Sequence, residues 1–286
     1  MDYVGFFGRE TGRFEVAART AAQREAAPAV ASCPGWTMTD LILHLGTAHR
    51  FVSRLIDRRI QQPPRPGDLE AQAGLTDEWA AWLPPNHAPP GDAVPPALPD
   101  WFAEGAADLE ERLLLTSPDE PVWSWSGDCT AGFWQRMQAI EAAVHRWDAQ
   151  KALGMAGPVD SALAADAVAQ HFEVMAPPRR ATAKAPPGRG ERFLFRRTDG
   201  PQSWPVRFDS GAILLGSDED REYDVEIAGR ASDLALFLWH RPVNNQLDIL
   251  GDTTMLKRYF DLVPPPGKIP AGAECESGDR RPGAFG

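Results

Sequence analysis

The sequence predicts an α+β chain, an N-terminal four-helix bundle followed by a smaller mixed α/β part. Three observations carry this. Apolar residues in the first half recur at steps of three and four. The second half has short strand-like runs set between turn residues, with helical stretches among them. Four proline-rich stretches punctuate the chain: "QQPPRPGD" from 61, "WLPPNHAPPGDAVPPALPD" from 82, "APPRRATAKAPPGRG" from 176 and the tail "VPPPGKIPAGAECESGDRRPGAFG". Proline lacks the amide donor and blocks helix interiors, so these stretches are expected to be connections or disordered ends.

The elements follow in order. Residues 8 to 26 read as a first helix, rich in Ala and Arg. "CPGWTMTDLILHLGTAHRFVSRLIDRRI" reads as a turn and then a helix, capped by Thr37 or Thr39 with Asp40 in its first turn. Leu41, Leu45, Ala48, Val52 and Leu55 form its apolar stripe. Residues 100 to 116 give a third helix, and residues 131 to 154, closed by Gly154, a fourth. After a boundary near Gly157, "SALAADAVAQHFEVMA" is one more helix. "ERFLFRRT", "SWPVRFD", "GAILLG" and "YDVEIAG" then read as strands, "ASDLALFLWHR" as helix, "QLDILG" as strand and "DTTMLKRYFDL" as helix. The expected division is a bundle over 1–157, an α/β domain over 158–262 and a disordered Pro/Gly-rich tail over 263–286.

Bulk composition narrows the function. The 286 residues carry a formal net charge of -11, which argues against a nucleic-acid or anionic-membrane binder. No apolar run reaches the roughly 18 residues a membrane span needs. The N-terminus has no basic start leading into an apolar stretch, so it does not read as a signal peptide. Cys33, Cys129 and Cys275 are sparse and show no CxxC spacing, which suits a reducing cytoplasm.

The chemistry is concentrated in "EAAVHRWDAQ". A four-residue step advances ~400° along a helix, so Glu141 and His145 lie ~40° apart on one face. A carboxylate and an imidazole so placed can share a divalent metal. A third ligand must come from another helix. His44 lies within the apolar stripe of the second helix and should point inward, whereas His49, ~140° further round, should face elsewhere. Two His, one Glu and open positions make a catalytic rather than a structural ligand count. The same spacing also arises on ordinary helices, and a core histidine is often only hydrogen-bonded. Asp148 reads as a partner of the ligands or as an ion pair with Arg146 or Lys151. Cys33 reads as buried filler, and His87 and His171 as solvated. Trp36 and Trp147, next to candidate ligands in sequence, are placed as walls of the cofactor pocket.

Three segments resemble one known family. "SCPGWTMTDLILHLGTAHRF" and "FWQRMQAIEAAVHRWDAQKALG" resemble the two helical signatures of the mycothiol-dependent maleylpyruvate isomerase family. "DVEIAGRASDLALFLWHRPVNNQLDILGD" resembles its sterol-carrier-like C-terminal domain. The resemblance implies a DinB-like bundle holding zinc or a similar divalent ion on His44, Glu141 and His145. It implies the thiol mycothiol as cosubstrate and a small electrophilic, carboxylate-bearing substrate. It also implies a catalytic arginine, best matched by Arg241 in "LWHR", which would clamp that carboxylate. From the residues alone Arg241 reads sooner as a charge answering a helix C-terminus, and the resemblance brings the two readings level. The chain departs from the family at Ile140, where a polar His often precedes the ligand Glu, and in its longer proline-rich stretches at 82–99 and 176–190. The implied activity is an isomerase or S-transferase. Two other readings stand beside it: a metal-dependent hydrolase or tailoring enzyme that uses no thiol, and a non-catalytic metal-binding regulator.

Overall fold

Helix α1 (Tyr3–Ala21) begins earlier than its apolar pattern suggests, because the Asp2 carboxylate accepts from Gly5 N–H and caps it. Phe7, Phe14, Ala17 and Ala18 form its buried face. Helix α2 (Met38–Asp57) is capped by Thr37 rather than Thr39, and Asp40 returns a bond to the Thr37 N–H at 2.7 Å. A short helix absent from the sequence reading, α3 (Asp77–Ala81), turns Trp79 onto Trp101. Helices α4 (Leu98–Leu115) and α5 (Ala131–Ala152) complete the bundle; Thr130 caps α5, and Gly154 in the left-handed region closes it. The structure is a computed structural model that describes residues 1–64, 75–83, 86–216, 222–243 and 246–265. The expected tail from 266 onward, with Cys275, lies outside the described residues.

In the bundle α1 packs on α5 and α2 on α4. Gly46 makes the α2–α4 approach possible, since a Cβ there would stand 2.3 Å from the Trp101 ring. The second half begins with α6 (Ser161–Gln170), one π turn over His171–Met175, and α7 (Ala176–Thr182). The stretch from 176 was expected to be a connection, yet it starts as helix. Pro177 and Pro178 have no N–H to give to the preceding turn. The π turn absorbs this: the Ala176 N–H reaches back to His171 O, and the prolines fall in the first turn of α7, where a missing donor costs least.

Five strands follow: β1 (Gly188–Arg197), β2 (Ser203–Ser210), β3 (Ala212–Leu215), β4 (Val225–Gly229) and β5 (Asp248–Gly251). Their order is β3-β2-β1-β4-β5, antiparallel except for β1 beside β4. Helices α8 (Ala231–Leu238) and α9 (Met255–Leu262) are the last among the described residues, with α8 packed against α6. The α+β class read from the sequence is the class observed, and each strand falls where the turn residues placed it. One apolar core runs from Phe7, Ile140 and Trp147 of the bundle to Phe172, Phe195, Phe237 and Tyr259. A second, around Phe14, Leu41, Leu45 and Phe102, fills the end of the bundle that carries Trp36 and Cys33. Among the described residues no helix is long and apolar enough to cross a membrane.

Candidate metal centre

Helices α2 and α5 bring His44, Glu141 and His145 together. One ligand-type atom from each lies within 4.8 Å of the others. His44 Nε2 stands 3.5 Å from Glu141 Oε1, and the two imidazoles meet edge to face at 5.0 Å between centroids. Exposure falls from 33% at the His44 side chain to 15% at Glu141 and 8% at His145, so the group is reached from the His44 side. There a small cleft is lined by Trp36, Asp40, Leu43, Trp82, Leu83 and His87. Burial would raise the Glu141 carboxyl, but the His44, His145 and His49 rings outweigh it and hold the group down at about 2.

Each member of the trio is held from behind. Gln138 Nε2 donates to Glu141 Oε2 at 2.9 Å, which leaves Oε1 toward His44. His145 Nδ1 lies 2.9 Å from Asp148 Oδ2, one helical turn on. With Nδ1–H given to that carboxylate, the Nε2 lone pair is the one left to bind. Asp148 is fully buried and does not pair with Arg146 or Lys151. Its partner is Arg241, whose Nε donates to Oδ1 at 3.0 Å and whose Nη2 donates to Oδ2. Arg146 lies elsewhere, in a buried pair with Glu10 at 2.6 Å.

Arg241 arrives from the end of α8. The chain leaves the helix through His240 at φ 63, a position usually given to glycine, and Arg241 N–H bonds Leu236 O at 2.8 Å. The guanidinium is thereby turned into the bundle. Its Nη1 donates to Trp239 O at 2.7 Å, and Nη2 lies 3.6 Å from Cys33 Sγ. Most of the fork is occupied, so a substrate carboxylate would have to share it with Asp148. Cys33 sits in a tight turn in which Trp36 N–H bonds Cys33 O at 3.0 Å and Gly35, at φ 85, supplies the left-handed residue after Pro34. Burial first, and the Asp148 charge second, push its thiol up to about 12. Cys33, His145 and Asp148 also form a ligand-type group, but Arg241 already neutralises the carboxylate there.

The other sequence-selected residues separate. Trp36 lies tilted against His44, 5.0 Å between ring centres, and walls the cleft. Trp147 does not join it. Two residues beyond His145, it is turned ~200° round the helix, buried in the apolar core with the Lys151 ammonium 5.8 Å above its ring. His49 faces elsewhere, fully buried between Phe7 and Phe102, and burial lowers it to about 3. His171 is not solvated. It is fully buried, with Nε2 2.9 Å from the Tyr259 hydroxyl, because the π turn rotates it inward. His87 is half-exposed and leans on Asp40 at 3.3 Å, which ties the proline-rich loop to the start of α2. Gln138 was missed; its only sequence signal is the three-residue step to Glu141.

Two imidazoles and a carboxylate, converging from two helices and backed by hydrogen bonds, make a donor set that fits a divalent cation such as zinc. Residues 7–150 match the family model described as the mycothiol maleylpyruvate isomerase N-terminal domain. Two solved structures are similar: the mycothiol-dependent maleylpyruvate isomerase, at a TM-score of 0.52, and a mutant of it, at 0.53. Each is 14% identical over 86% of this chain and 91% of that chain, a likeness of fold. No curated protein matches by sequence.

Proposed function

The chain belongs to the family of the mycothiol maleylpyruvate isomerase N-terminal domain, and from that premise we propose that it is a divalent-metal- and mycothiol-dependent isomerase or S-transferase. Its substrate is a small electrophile bearing a carboxylate, as in maleylpyruvate cis–trans isomerisation. The observation that carries the reading is the convergence of His44, Glu141 and His145, with His44 lining a small cleft. Residues 1–157 form the metal-binding unit in this reading, and 158–262 lend it Arg241.

His44, Glu141 and His145 would hold the ion. When bound, it supplies positive charge that favours the thiolate form of a thiol brought to the cleft. The rest is the work of side chains. Asp148 fixes the His145 tautomer, and Arg241 keeps Asp148 ionised in its buried place: burial would raise that carboxyl, but Arg241 and His145 hold it well below the usual range. Gln138 orients Glu141. Trp36 covers His44 and limits water at the reacting sulfur. A substrate carboxylate would bind beside the Asp148–Arg241 pair.

In the proposed reaction the external sulfur adds to one carbon of the polarised double bond, and a proton goes to its neighbour. The former double bond is then single and rotates. Loss of that proton and of the thiol restores the double bond in the trans form. In an S-transferase the thiol stays attached. The test is turnover of maleylpyruvate with and without mycothiol in metal-loaded protein. Dependence on the thiol is the expected result. Hydrolysis or other conversion without thiol would replace the reading with a thiol-independent metalloenzyme. Metal binding with no thiol chemistry on any electrophile would leave a regulator.

A further inference from the structure

Among the described residues four arginines are nearly or fully buried, and three have acceptors. Arg146 lies on Glu10 and the carbonyls of Gly157 and Pro158. Arg180 donates to the carbonyls of Leu262, Pro186 and Ser210. Arg241 forks onto Asp148. Arg179, beside Arg180 on α7 and 7% exposed, has none: among the described residues no acceptor meets its Nε, Nη1 or Nη2.

The groups around Arg179 deepen the imbalance. Its guanidinium carbon stands 5.5 Å from the Trp239 ring centre, and Trp239 Nε1–H, a pure donor, is also buried without a partner. His240 Nε2 and His171 Nδ1 are unpartnered too. The charges that act on Arg179 come from the Tyr259 phenol and Arg241, and no carboxylate is among them. Burial lowers the guanidinium to about 10, so it remains a cation at neutral pH. Two structural irregularities hold the group: the π turn that carries His171 and the left-handed backbone at His240. A buried cation with no counter-charge is costly, and buried donors in native proteins are nearly always satisfied by protein, water or an ion.

We propose that Arg179 and Trp239 form a buried anion site that receives the carboxylate of a small monoanion. A carboxylate matches the planar fork of a guanidinium with two oxygens and leaves a lone pair for the indole N–H. A phosphate near neutral pH brings more negative charge than the single guanidinium balances. The site is separate from the metal ligands and needs no metal. It touches the catalytic proposal at one place, because Trp239 O accepts from Arg241, the partner of Asp148.

The experiment is thermal unfolding of the full chain titrated with sodium formate and sodium acetate, with sodium chloride and sodium phosphate at matched ionic strength as the other arms. Formate and acetate should raise the melting temperature along a saturating curve, and chloride and phosphate should not. Arg179→Gln should abolish the dependence. Trp239→Phe keeps the ring and removes one donor, so it should weaken the carboxylate about tenfold, one hydrogen bond's worth. It decides the question if Arg179→Gln does not fold. No saturable shift with any anion would overturn the site, as would curves unchanged in the variants. Saturation by phosphate or chloride in place of the carboxylates would overturn the ligand.

Discussion

Arg241 lies 93 residues after Asp148 and forks onto both of its oxygens, with Nε donating to Oδ1 at 3.0 Å and Nη2 to Oδ2. The pair is buried, and Asp148 also holds His145. Asp148→Asn keeps the shape but leaves Arg241 without its counter-charge, and should cost about 3–5 kcal/mol in urea unfolding. Metal affinity should fall about 10–100-fold as His145 loses its support. A loss below about 1 kcal/mol would mean that the pair is effectively solvated. Arg241→Ala separates two roles in kinetics. A raised KM with kcat held marks a substrate carboxylate, and weakened metal binding with a lower kcat marks action through Asp148.

Arg146 and Glu10 tie α5 to α1 with both side chains 1% exposed. Arg146→Met alone leaves the buried Glu10 carboxylate only the exposed Arg13, at 3.1 Å, and should cost about 3–5 kcal/mol. Glu10→Leu with Arg146→Met removes both charges and should recover most of that loss. Additive losses in the double variant would contradict the pairing.

Acid should destabilise the fold from pH 6.5 downward. Burial holds His49 at about 3 and His171 well below the ordinary histidine value of 6.5. Both are neutral in the folded chain and take a proton on unfolding. Their contribution is complete above the unfolded value and is lost as pH falls from there through the folded values. Each proton steepens the loss by about 1.4 kcal/mol per pH unit. His49→Leu should remove one proton from the slope measured between pH 6 and 4. An unchanged slope would show that His49 is charged in the fold.

Cys33→Ala should leave turnover and metal content unaltered. The thiol is pushed up to about 12, so almost none is thiolate at neutral pH. Loss of metal in this variant would shift the ion to the neighbouring group of Cys33, His145 and Asp148.

Local periodicity made the bundle legible. The stripe through Leu41 and Leu45 and the four-residue step from Glu141 to His145 need only helix geometry, and so does the inward placement of His44 beside them. What failed was whatever depended on distant residues or on a broken period. The partner of Asp148 lies in the other half of the chain, so its neighbours Arg146 and Lys151 were the visible candidates. Trp147 was judged by adjacency to His145, although two residues on a helix point nearly opposite ways. His171, expected to be solvated, is rotated into contact with Tyr259 by the π turn before Pro177 and Pro178.

In the proposed function His44, Glu141 and His145 hold one divalent ion. Elemental analysis of chelator-treated protein reloaded with zinc, alongside His44→Ala and Glu141→Ala variants shown to be folded, measures it most directly. About one ion per chain is expected in the unaltered protein, in keeping with a single three-ligand site, with loss of stoichiometric metal in both variants. Zinc retained at full stoichiometry in folded His44→Ala and Glu141→Ala proteins, or none bound by the unaltered chain, would contradict it.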